Sequence, residues 1–189
     1  MSKALSVAVK AFRAKHGDVQ LLTLAIDSGV AVDDSRPNVR DHTIALEGTW
    51  KGHAFGEFTL SATLFDSMVK NFDRQSNDVV VDYDHKSLSP FVESAPASGW
   101  VVGLSKHVDN GANGANGAKL SARIDWTDRG AELIDKREYR YISPTILFDS
   151  KDRVTGLSQG ASLDSIALTN RPFLDELPEV QLSMLTALI

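Results

Sequence analysis

Between Gly99 and Trp126 the chain runs out along one apolar stretch and back along another. Gly99–His107 carries Trp100 and two valines, and Lys119–Trp126 returns. The segment between them, Asn110–Ala118, consists only of Asn, Gly and Ala. It reads as a flexible hairpin tip with no side chain able to do chemistry. A hairpin fixes two strands as antiparallel neighbours, which narrows the architecture at once. The same punctuation recurs along the chain. Thr43–Trp50 and Ala54–Leu60 flank the turn Lys51-Gly52-His53. Tyr139–Phe148 is followed by a turn at Asp149–Asp152 and an expected partner at Arg153–Leu157. Leu163–Leu168 forms a last strand, closed by Asn170-Arg171-Pro172. With Val19–Ile26 and a strand starting at Val79 the count reaches about eight. Strands in hairpin-linked groups, rather than in strict βαβ alternation, predict an α+β fold: a mostly antiparallel barrel or sheet with surrounding helices.

Three segments read as those helices. Ser61–Gln75 places Leu64, Phe65, Met68, Val69 and Phe72 on one stripe. Ser61 or Thr63 caps it, with Asp66 placed as in a capping box on Thr63. Thr127–Arg137 is the second, capped by Thr127 or Asp128. Ser2–His16 is a short third helix that Gly17 can end. Asp27–His42, rich in Asp with Gly29 and Pro37, reads as a loop. At 189 residues, with 42% apolar content, the chain has material for one core. The expected division is a domain over 1–174 and a tail over 175–189 that turns from acidic to apolar.

Composition also removes functions. A net charge of −5 gives no electrostatic case for nucleic acid or an anionic membrane. No stretch is long and apolar enough to span a bilayer. With no cysteine there is no disulfide, thiolate metal site or thiol nucleophile.

The chemistry is expected around Val79-Val80-Val81-Asp82-Tyr83-Asp84-His85-Lys86. Three β-branched residues start a buried strand that ends in ionisable groups. On a period of two, Val81, Tyr83 and His85 share a face, with Asp82 and Asp84 opposite. Of the five histidines, His85 stands out, because it sits at a strand end before a Ser/Pro-rich loop, Lys86–Ser98. His16 and His53 fall at turns and read as solvated, and His107 reads as structural or exposed. Ser143 is the second unusual residue. It shares a face with Tyr139 and Tyr141 in a strand, yet Pro144 follows and cannot donate to a ladder. It reads either as a solvated serine at a bulge or edge, or as a nucleophile at a strand irregularity. In the second case Pro144 offers no N–H for an oxyanion, which excludes the nucleophile-elbow arrangement. Donors must then come from the Ser143 N–H or another loop, for which the glycine-containing stretch 156–161 is the expected candidate. Asp164 and Ser165 on the last strand are the candidates to orient an imidazole, and only one of the two can face His85. A metal site built from Asp82, Asp84 and His85 is a further reading, weakened because these residues alternate faces.

Taken in order, Asp82-Tyr83-Asp84-His85, Ala95-Pro96-Ala97-Ser98-Gly99-Trp100, Trp126-Thr127, Tyr139-Arg140-Tyr141-Ile142-Ser143-Pro144 and Ala167-Leu168-Thr169-Asn170-Arg171-Pro172 resemble the Mu-like phage I protein family over roughly 19–172. No single motif is specific; the ordered set is. The resemblance implies a head-maturation serine endopeptidase, acting inside the prohead in the bacterial host cytoplasm. It would cut scaffold proteins, other head proteins and itself. It implies an assemblin-like β-barrel with helices outside. It makes Ser143 the nucleophile and His85 the general base, with Asp164, or Ser165 in its place, as third member and no cofactor. The implied partners are scaffold and major capsid proteins and further copies of the chain. Family members commonly continue into a scaffold-like region. An end at Ile189 is therefore expected to lie near a truncation or self-cleavage point. Two other function classes stand beside this one: a non-catalytic scaffold or interaction protein whose apolar segment from Val180 docks on a partner, and the metal hydrolase.

Overall fold

The computed structural model describes residues 38–54, 56–110 and 116–182. The expected Ser2–His16 helix, the Val19–Ile26 strand, most of the 27–42 loop and the end of the tail lie outside the described residues.

Eight strands and two α-helices follow one another among them: β1 Val39–Leu46, β2 Gly48–Trp50, β3 Phe58–Leu60, α1 Ala62–Phe72, β4 Val79–Tyr83, β5 Gly99–Asn110, β6 Asn116–Trp126, α2 Asp128–Asp135, β7 Tyr141–Lys151 and β8 Ser158–Thr169. Six strands form one sheet in the order β1-β6-β5-β4-β8-β7, and β2 and β3 form a separate hairpin. The sheet curls enough for its two edge strands, β1 and β7, to approach each other. The fold is α+β and mostly β. All strand pairs but one are antiparallel; β4 and β8 run parallel, with Asp82 opposite Ala167 and Tyr83 opposite Leu168. The sheet is thus mostly antiparallel, as expected, and its one parallel pair joins segments far apart along the chain.

Local chemistry explains the element ends. Ser61 caps α1, its hydroxyl accepting from Leu64 N at 3.2 Å. Asp66, expected in a capping box, instead pairs with Lys106 on β5. Phe65 and Met68 are fully buried, each contributing roughly 1.5–3 kcal/mol. Asn71, also buried, donates through Nδ2 to the Gln159 and Ala161 carbonyls at 2.9 Å and fastens α1 to β8. The expected Thr43–Trp50 strand breaks at Glu47, whose carboxylate accepts from Ala62 N and Ala118 N. A donor at the start of α1 is thereby satisfied. The Ala54–Leu60 strand shrinks to its last three residues because Gly56, at φ 96°, turns back onto the His53 carbonyl. The predicted partner Arg153–Leu157 is a turn instead. Asp152 Oδ1 accepts from Val154 N, Thr155 N and the Thr155 hydroxyl, and Gly156 takes φ 70°. The partner of β7 is therefore the longer β8.

The second helix is held by a close approach. Thr127 N and Oγ1 both donate to the Ser98 carbonyl at 2.9 Å, and Thr127 caps Gly130 N at 3.1 Å. A Cβ on Gly130 would lie 2.1 Å from that carbonyl oxygen, so only glycine fits. Ser98 in turn donates to the carbonyls of Val81 and Asp82. The Ser98-Gly99-Trp100 and Trp126-Thr127 motifs are thus the joint between α2 and the end of β4. Beyond β8, Leu174, Leu177, Val180 and Leu182 return to the core. Val180 N donates to the Arg140 carbonyl at 2.8 Å, and Glu179 pairs with Arg137 and Arg140. The start of the apolar segment expected to dock on a partner is therefore already buried against this chain.

Candidate active site

His85 does not continue β4. Asp84 and His85 both adopt positive φ, 54° and 57°, a left-handed conformation costing about 1–2 kcal/mol per non-glycine residue. Surrounding hydrogen bonds hold it. Asp82, fully buried, accepts from His85 N at 3.1 Å and from Ser87 N at 2.6 Å. Asp84 accepts from the Thr169 hydroxyl and the Tyr139 phenol, both at 2.9 Å. Burial first, then the bond to Asp84, push the Tyr139 phenol up to about 12, so it stays a donor. The strand-parity expectation for His85 fails at this turn, which sends the ring back toward β7. There its Nδ1 meets the Thr145 hydroxyl at 3.1 Å.

Thr145 lies two residues beyond Ser143 on the same face of β7. Ser143 pairs with Ala167 and Thr145 with Ser165 across the β7–β8 ladder. On that face β8 offers only the small side chains of Ser165 and Ala167, which leaves room for an imidazole reaching over. Ser143 and His85 line one groove of about 920 Å³, together with Thr145 and Arg171. Ser143 is buried and His85 half-buried.

The other expected residues fall as follows. Ser165 is buried, 2% exposed, and its Oγ has no hydrogen-bond partner. Asp164 is exposed, at the register shift between the Thr145–Ser165 and Ile146–Leu163 pairs, and does not line the groove. The 156–161 stretch lies toward the far end of the hairpin, where Gly160 pairs with Ser150. Seven residues along β7 from Ser143 is about 20 Å, too far for an oxyanion donor. The oxygens of Asp82 and Asp84 are engaged by protein donors, and no cluster of three metal-binding side chains occurs among the described residues. His53 is not simply solvated; its ring packs edge-on against Phe58 and Phe173.

Sequence reasoning missed Thr145 and Arg171. Period-two counting from Ser143 reaches Thr145 directly. Arg171 sat in a motif already noted, and its backbone N–H donates at 3.2 Å to Thr169 Oγ1, the same hydroxyl that donates to Asp84.

Fold and site together define a small α+β domain with a curled sheet and a hydroxyl–imidazole groove on an edge strand. The family model for the Mu-like prophage I protein, N-terminal domain, matches residues 43–181. The chain belongs to that family of phage and prophage proteins. No curated protein and no solved structure matches it. None of its described helices is long and apolar enough to cross a membrane.

Proposed function

We propose that this protein is a serine endopeptidase of phage head maturation, cutting scaffold and other prohead proteins, itself included, inside the prohead in the host cytoplasm. The observation that carries the reading is the groove holding Ser143 and His85, with Thr145 fixing the ring. Thr145 occupies Nδ1, so Nε2 is the nitrogen that takes the Ser143 proton as Oγ attacks the scissile carbonyl. The same nitrogen then returns the proton to the leaving amine. Thr145 takes the orienting place, and Ser165, whose Oγ has no hydrogen-bond partner, does not share it. A carboxylate is not required there, and Asp164 stays outside the mechanism. With Pro144 unable to donate, we assign the oxyanion to the Arg171 guanidinium, which lines the same groove. No cofactor enters. The proton transfer needs the imidazole in its neutral form.

The test is covalent labelling by a fluorophosphonate probe, read by intact mass. One adduct on the wild type, absent in Ser143→Ala and His85→Ala, supports the reading. Absence of labelling, together with tight binding of scaffold or capsid protein, points to a non-catalytic scaffold role. Cleavage that a chelator abolishes points to metal chemistry.

A further inference from the structure

We infer that the end of the groove walled by Phe58, Phe148, Phe173 and His53 is a subsite for a large apolar side chain of an extended peptide. The inference rests on the endopeptidase reading and names what that site selects.

The first support is the course of the groove. Four consecutive residues of β7, Ser143 to Ile146, line it. Successive side chains of a strand point to opposite faces. A groove touching all four must therefore run along the strand's edge. β7 is the last strand of its sheet, paired only with β8. Its outer edge carries backbone donors and acceptors that no strand in the sheet uses. An extended peptide laid along such an edge gains main-chain hydrogen bonds and presents alternate side chains to pockets.

The second support is the aromatic wall. Phe58 stands at its centre, with ring centroids 5.7 Å from each of His53, Phe148 and Phe173, and His53 lies 4.7 Å from Phe173. The rings come from three separate parts of the chain: the β2–β3 hairpin, β7 and the segment after β8. Phe58 packs against the core, but the outer two rings do not serve it. Phe148 is 47% and Phe173 36% exposed, so much of their apolar surface stays in water, a cost that a ligand side chain removes.

The third support is charge. Among the described lining residues there is one carboxylate, Glu57, already paired with Lys51, and one guanidinium, Arg171. The aromatic end therefore has little to offer a charged side chain, and selection falls to apolar contact.

The test uses the full chain carrying Ser143→Ala and a set of fluorescein-labelled octapeptides. Each peptide is built on a Gly/Ser/Thr background with one position at a time set to Phe, Leu, Ala, Asp or Lys. Fluorescence anisotropy gives Kd. At one position Phe or Leu binds about tenfold tighter than Ala, and Asp and Lys gain nothing. Phe148→Ala and Phe173→Ala, each added to Ser143→Ala, reduce that preference to about threefold or less, with unchanged thermal unfolding. Phe148→Leu, which keeps an apolar wall, retains most of it. Affinity independent of the side chain at every position overturns the inference. So does a preference that survives both alanine variants. Wild-type protein given the same peptides separates the two readings. Apolar-selective binding without cleavage removes the protease and keeps the subsite, whereas cleavage with no apolar preference does the reverse.

Discussion

The two ends of the groove are built in opposite ways. The His85 end is fixed by directional polar contacts: a buried carboxylate holds two backbone N–H groups, and a second carboxylate holds two hydroxyls. The aromatic end is fixed by edge-on contacts of His53 and tilted contacts among the phenylalanines, with Phe148 and Phe173 partly exposed. Proton transfer tolerates little positional error, and hydrogen bonds to buried acceptors supply that precision at the cost of backbone strain. Recognition of an apolar group tolerates more, and rings meeting over a broad surface supply area without strain. The contrast teaches where each kind of damage should fall: on stability and chemistry at one end, on selectivity at the other.

The largest expected effect breaks the polar end. Asp82→Ala orphans the N–H groups of His85 and Ser87 and should cost about 2–5 kcal/mol, read by urea unfolding. Activity falls with it, because the left-handed turn relaxes and the ring loses its place. Wild-type stability in Asp82→Ala would remove the claim that this carboxylate holds the turn.

Next comes acid, which separates failure of the whole molecule from failure of the site. His42, remote from the groove in sequence and on β1, accepts the Trp126 indole N–H through Nε2 at 3.1 Å. Burial, partly offset by Asp41 and reinforced by Arg40, lowers its pKa from 6.5 to about 4. The unfolded chain then binds a proton that the folded chain refuses. His42 therefore contributes stability that is present above pH 6.5 and is lost as pH falls toward 4. The full loss reaches up to about 3 kcal/mol. Thermal unfolding at successive pH values checks this, and His42→Gln should flatten the dependence in that window.

A smaller effect sharpens the polar end itself. Thr145→Val keeps the shape and removes the hydroxyl on Nδ1. It should lower kcat about tenfold, and Thr145→Ser should restore most of it. Equal rates in Thr145→Val and wild type would show that the ring needs no such partner. The smallest effect belongs to the aromatic end: Phe148→Ala, at a half-exposed position, should change stability by no more than about 0.5–1 kcal/mol.

Much of this architecture was legible from residues alone. The stripe of α1, the hairpin around the Asn/Gly tip and the strand carrying Ser143 follow local rules of period and turn chemistry; the break expected at Pro144 does not occur, since Pro144 pairs with Ile166 and the ladder shifts only between Thr145 and Ile146. The ordered motifs pointed to the family that the chain belongs to. What stayed hidden was non-local. The parallel pairing of β4 with β8 depends on residues some 85 positions apart, and nothing local encodes it. The course of the chain after Tyr83 was misjudged because parity counts only while the backbone stays extended, and two residues at positive φ ended it. The aromatic wall was invisible for a similar reason: its rings come from three stretches, and His53 alone at a turn looks solvated.

The claim that Ser143 and His85 act as a pair is tested most directly by incubating the scaffold protein of the same phage with wild type, Ser143→Ala and His85→Ala. Cleavage is followed by mass spectrometry, with thermal unfolding of each variant alongside. The account predicts discrete scaffold fragments with the wild type. It predicts a loss of about 10⁴-fold or more in either variant at unchanged stability. Fragments produced by Ser143→Ala at the wild-type rate, or an intact scaffold after incubation with the wild type, would contradict it.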